Sequence, residues 1–199
     1  MVLTGTIRFS TATLTTSRFI PSRLDNIEDV EDYQRGGYHP ISIGDTFDCG
    51  RFRVLHKLGF GGSSTLWLVR DQWEGSRVVT LKAMRADFSS KLPSEIPELV
   101  VPQRIGRSLD NFQTVDHHFV VRGPNGSHRF LIFALAGPSI LAMTDCPGRV
   151  AGSRRLRADL ARKVAKQTAI GLLDLHCAGV VHGGMYVSRL VSVCRQTIL

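Results

Sequence analysis

The sequence predicts an α+β fold: a five-stranded antiparallel sheet carrying one helix, followed by a helical region. Three observations predict it. Short β-rich runs follow one another between Phe52 and Ala83, separated by turn-forming residues, as in an antiparallel meander. A second pair of runs, 118–122 and 130–135, brackets Gly123-Pro124-Asn125-Gly126, whose Pro and Asn-Gly chemistry favours a tight turn. Residues 153–176 then change to helical spacing, with Leu156, Leu160 and Val164 four residues apart, Ser153 as candidate N-cap and Gly179 as the stop.

Taken in order, residues 1–24 contain no acidic side chain while Arg8, Arg18 and Arg23 are spread among Ser and Thr. That composition suits either a mitochondrial presequence or a plain extension, although no clean amphipathic helix can be drawn through it. Residues 25–37 turn acidic and end in Gly36-Gly37, as a linker or surface arm would, so folded structure is expected to begin near Tyr38. The division expected is an N-terminal extension over 1–37, a sheet-bearing lobe over 38–138 and a helical remainder over 139–199. The 199 residues hold one ordinary domain, with 43% hydrophobic and 21% charged residues, close to soluble globular averages. No apolar run has the roughly 18 residues of a membrane-spanning helix. Cys49, Cys146, Cys177 and Cys194 lack Cys-x-x-Cys pairing, which argues for free thiols in a reducing compartment rather than zinc or a disulfide framework.

The net charge of +8 raises nucleic-acid binding as a function. Arg154, Arg155, Arg157, Arg162, Lys163 and Lys166 lie along one helical segment without an aromatic stacking platform, so a solvated helix face is the preferred reading.

The chemistry concentrates at Leu58-Gly59-Phe60-Gly61-Gly62-Ser63-Ser64-Thr65-Leu66. Small residues let a backbone approach a polyphosphate closely and aim N–H groups at its oxygens. A dinucleotide fold would follow such a loop with a helix, whereas the β-rich Leu66-Trp67-Leu68-Val69 follows at once. The next strand delivers Val79-Thr80-Leu81-Lys82, which matches the Val-Ala-Ile-Lys pattern of a kinase strand. There Lys82 would set a cation against the α- and β-phosphates, steadied by a carboxylate from the following helix. Glu95 is the first candidate because Leu99 shares its helical face, and Glu98 is the second. Pro97 makes that helix short, kinked, or starting at Ser94.

With these residues in view, the chain resembles the SR-protein kinases, fungal members especially. The resemblance lies in Glu31-Asp32-Tyr33, in Gly36-Gly37-Tyr38-His39-Pro40 and Ile43-Gly44-Asp45, in Gly123 through His128, and in Phe133 through Gly137-Pro138-Ser139, and it covers residues 29–182. It implies a protein-kinase-like N-lobe and an incomplete C-lobe. It also implies ATP as cofactor, with Phe133 as gatekeeper, Ala134 to Ala136, including Leu135, as the hinge for the base, and Leu66 and Thr80 as the pocket roof. The long helix would lead to the catalytic loop, which Val180-Val181-His182-Gly183 resembles.

Where the family carries the proton-accepting Asp and the metal-holding Asn, this sequence has Gly184 and Arg189, and no Asp-Phe-Gly follows. Glycine cannot accept a proton and arginine repels Mg²⁺, so no catalytic residue or metal ligand is intact, Mg²⁺ is not counted on, and no turnover is expected. Asp174 lies too far back to substitute. The chain is therefore expected to be an ATP-binding, serine/threonine kinase-like unit, either a truncated product in which residues 187–199 replace the true continuation, or a pseudokinase scaffold. In the scaffold form a protein partner would bind the sheet and cover the long helix, which is otherwise expected to expose apolar surface. The location expected is cytoplasmic or nuclear, or mitochondrial if the leader directs it.

Overall fold

The computed structural model describes residues 27–89, 92–106, 109, 111–137, 139–140 and 156–182. The expectations for the N-terminal leader, for Ser153 as N-cap, and for Gly184 and Arg189 lie outside the described residues.

Among the described residues a single antiparallel sheet of six strands dominates, in the order β1-β2-β3-β4-β6-β5. The strands are β1 (Thr46–Phe47), β2 (Phe52–Gly61), β3 (Ser64–Asp71), β4 (Val78–Met84), β5 (Val115–Gly123) and β6 (Gly126–Ala134). Five of these are the predicted strands; the sixth is β1, whose two residues pair Thr46 with Arg53 and Phe47 with Phe52 and are too few to show a period. The β2-β3 and β5-β6 hairpins turn where the glycines and Asn125 stand, with Gly62-Ser63 and Pro124-Asn125 between the paired strands, while residues 72–77 connect β3 to β4.

Alternation along the strands sorts side chains onto two faces. On the outer face Phe52, Val54, Trp67, Val69, Val79, Leu81, Phe130 and Ile132 form the main core, with Ile41, Phe47, Phe119 and Val121 packed against it. On the inner face Met84, Leu131 and Phe133 form a smaller cluster joined by Leu99 and Val115. The sheet is thus covered on both sides along β4 and β6, which are buried over nearly their whole length.

Between β4 and β5 the chain makes α1 (Ala86–Ser89), a 3-10 turn (Pro93–Glu95) and α2 (Pro97–Ile105). Pro97 opens α2 at its first position, where a missing N–H costs nothing, and Gly106 closes it with φ 58. The helix therefore starts three residues after Ser94.

The long helix, α3 (Ala158–Cys177), starts behind Arg157, four residues later than the sequence suggested, and Asp159 sits in its first turn. Its end is the predicted one: Gly179 has φ 68, Val180 N–H donates to Leu175 and Gly179 N–H to His176, a Schellman closure. Leu175 and Gly171 are buried, whereas Leu173 is 61% exposed, so α3 shows an apolar side to solvent among the described residues.

Residues 27–37, expected as linker or arm, contact the sheet well before Tyr38. Asp32 pairs with Arg85 at 2.8 Å, Glu28 pairs with Lys57, and Tyr33 Oη donates to Glu28 at 2.7 Å.

Candidate nucleotide-binding site

The glycine segment folds as a strand-turn-strand. Leu58, Gly59, Phe60 and Gly61 finish β2, Gly62 and Ser63 turn, and Ser64, Thr65 and Leu66 begin β3. Gly59 pairs with Leu66, Phe60 with Thr65 and Gly61 with Ser64, and no helix issues from Ser64. Arg85 N–H donates to the Ser63 carbonyl at 2.9 Å, which ties the turn to the end of β4.

Register then decides which side chains meet. Leu66 stands opposite Lys82, Leu68 opposite Thr80, Thr80 opposite Phe133, and Lys82 opposite Leu131. Paired residues in an antiparallel ladder project to the same side, so Leu66, Thr80, Lys82, Leu131 and Phe133 share the inner face. Leu135 follows directly beyond the end of β6. Thr65 does not join them: it is fully buried, and its Oγ1 accepts from Trp67 Nε1 at 3.0 Å on the outer face, leaving only its backbone for the inner side.

Lys82 Nζ pairs with Glu98 Oε1, not with Glu95. The reason is where α2 starts: Pro97 makes Glu98 the second residue of the helix, so its carboxylate faces the sheet beside Leu99. Glu95 remains in the preceding 3-10 turn, exposed, and accepts from Leu92 N–H at 3.1 Å. Burial pushes the Glu98 carboxyl up, but the Lys82 ammonium and its hydrogen bond more than offset this and hold it below the usual carboxylate range. With side chains only 20% and 28% exposed, the pair is an anchored one, and its lysine is held at the inner face.

At the strand end expected to serve as hinge, the Ala134 carbonyl accepts from Gln113 Nε2 at 3.0 Å. Nothing in the local pattern signals this contact, nor Leu131 and Met84 as inner-face floor, although the period of two through Leu131 and Phe133 could have found the former. Among the described residues no cluster of three or more His, Cys, Asp or Glu could hold a metal, and no helix is long and apolar enough to cross a membrane.

No protein-family model matches the chain. Its sequence is similar to protein kinase dsk1 of Schizosaccharomyces pombe, 34% identical over 162 residues, which are 78% of this chain and 29% of that protein. It is similar as well to the serine/threonine-protein kinase SRPK of Physarum polycephalum, 31% identical over 75% of this chain and 34% of the relative. For the serine/threonine-protein kinase SKY1 of Saccharomyces cerevisiae the identity is 28%, over 79% of this chain and 22% of the relative. The chain spans about a third or less of the length of these relatives. A crystal structure of a kinase domain superposes with a TM-score of 0.61, 14% identity, and coverage of 78% of this chain and 43% of that one, which is a likeness of fold. A glycine hairpin whose second strand lies beside the strand of an anchored lysine–glutamate pair, the six-stranded sheet and these relatives agree: the chain belongs to the protein kinase superfamily and is SR-protein-kinase-like.

Proposed function

We propose that this chain is an ATP-binding unit of a serine/threonine kinase-type fold, and that it does not by itself transfer phosphate. What supports the first half is one observation: Lys82, anchored by Glu98, lies on the same sheet face as Leu66, one strand away from a turn made of Gly61, Gly62, Ser63 and Ser64. In this reading the base lies flat between Leu66, Thr80 and Phe133, with Leu58 and Leu135 at its rim. The polyphosphate lies under the backbone of residues 59–65, and Lys82 offsets its charge. Gln113 has to release the Ala134 carbonyl if that atom is to meet the base.

The second half rests on Gly184 and Arg189. Positioning and electrostatics supply nearly all of phosphoryl-transfer catalysis, and neither residue can orient the attacking hydroxyl or hold a cation. Mg²⁺ would then bind only through the phosphates themselves. Thermal unfolding with ATP, with and without Mg²⁺, tests the reading: ATP should raise the midpoint of the chain and raise that of Lys82→Ala less. No rise in either would remove ATP from the account. A protein-binding scaffold is the second reading, favoured by the exposed Leu173 and Ile170 on α3, and it predicts a partner that co-purifies and protects α3 from proteolysis.

A further inference from the structure

We infer that Tyr38 is a positioning residue for the glycine hairpin, acting as the tip of an arm that fixes the hairpin relative to the strand bearing Lys82. Its hydroxyl donates to the Gly61 carbonyl at 2.8 Å, across 23 positions of sequence, while its ring is 2% exposed. A tight turn of glycine and serine has no side chains of its own with which to pack, so an external hydrogen bond at its edge determines how far it can swing.

The arm that presents Tyr38 is itself held on several sides. Arg85, three residues beyond Lys82 along the chain, forms an ion pair with Asp32 at 2.8 Å and lies over the Tyr38 ring at 5.1 Å. The first two N–H groups of α1, on Ala86 and Asp87, donate to the carbonyls of Gly37 and Gly36 at 3.0 and 2.9 Å. Asn125, in the β5-β6 turn, donates through Nδ2 to the Tyr38 carbonyl at 2.7 Å, and its own carbonyl accepts from Gly36 N–H at 2.8 Å. Two glycines make this path feasible. Gly36 has φ 87, and a Cβ on Gly37 would come within 1.8 Å of the Asp32 carbonyl oxygen, which accepts from Tyr38 N–H. A second contact sits at the hairpin's base, where Lys57 meets Glu28 and Tyr33 of the same arm.

The arm therefore references the hairpin and the Arg85 end of β4 to one frame, so the gap between the turn and Lys82 is fixed without any nucleotide. Its consequence for ligand affinity rests on the nucleotide reading above; its consequence for the hairpin does not. Two measurements on the whole chain separate them. Hydrogen exchange of residues 61–65, without ligand, should quicken in Tyr38→Phe by about fivefold, as expected for one lost hydrogen bond, while exchange in β5 and α3 stays unchanged. Asp32→Asn, which loosens the arm at Arg85 and leaves the hairpin untouched, should quicken the same segment. The dissociation constant for a fluorescent ATP analogue should weaken by a similar factor in Tyr38→Phe.

Unchanged exchange of 61–65 in both variants would overturn the inference. So would an increase spread evenly over the sheet together with a lowered melting temperature, because Tyr38 would then be a stability residue only. If Lys82→Ala binds the analogue as well as the parent chain, the nucleotide reading fails, and the exchange comparison alone judges Tyr38.

Discussion

Replacing Glu98 by Gln keeps the shape of the side chain and removes its charge, leaving the Lys82 ammonium at the inner face with a neutral partner. Hydrogen bonds to charged groups are worth about 1.5–3 kcal/mol, exposed ion pairs about 0–1, and a buried pair deprived of one partner costs about 3–5. With side chains 20% and 28% exposed, the Lys82–Glu98 pair falls between these limits, and a loss of about 1.5–2 kcal/mol is expected from the lower part of the buried range after solvent screening. For a domain of this size that corresponds to a drop of about 5 °C in the melting temperature. Glu95→Gln removes only an exposed hydrogen bond to the Leu92 amide and should stay within about 0.5 kcal/mol. Thermal unfolding of both variants at neutral pH measures the difference, and ATP titration should show weakening in Glu98→Gln alone. Equal losses, or a larger one for Glu95→Gln, would refute the assignment of Glu98 as the partner of Lys82.

Asp71 is fully buried at the end of β3, accepting from Arg51 Nη2 at 2.8 Å and Nε at 3.1 Å, and from the Trp73 and Glu74 amides. Burial raises its carboxyl, but Arg51 and those amides more than compensate. Asp71→Ala should cost about 3–5 kcal/mol by stranding Arg51, read from urea unfolding. His39 packs against His128 at 4.7 Å between ring centroids, and burial followed by His128 lowers its pKa from 6.5 to about 4. Between those values the unfolded chain binds a proton that the folded chain does not, so stability should fall as pH drops below about 6.5, by up to about 1.4 kcal/mol per pH unit. His39→Asn should flatten that slope; an unchanged slope would assign it to other groups.

Much of the site was legible because it is local. The strand-turn-strand around Gly61 to Ser64 follows from turn chemistry and from the β-rich run that begins at Leu66, and the alternation Val79-Thr80-Leu81-Lys82 fixes which residues share a face. The choice between Glu95 and Glu98 was not legible, because it depends on whether the helix begins before or after Pro97; proline is favoured at the first helical position, yet α2 also carries Pro102 in its interior, so a proline in the sequence does not by itself mark where the helix starts. The role of residues 30–38 escaped for another reason. An acidic stretch ending in two glycines looks the same as a linker until Arg85, 53 positions away from Asp32, is brought beside it by the sheet. Strand β1 carried no signal at all, since its two residues pair only because Arg53 and Phe52 lie beside them.

An ATP molecule held as proposed would have its phosphates beside Lys82. An acyl-phosphate derivative of ATP, which transfers its acyl group to whichever amine lies next to the phosphates, tests this when the labelled peptides are read by mass spectrometry. Label concentrated on Lys82 and displaced by free ATP is the predicted result. Label scattered over Lys57, Lys163 and Lys166, and indifferent to free ATP, would contradict it.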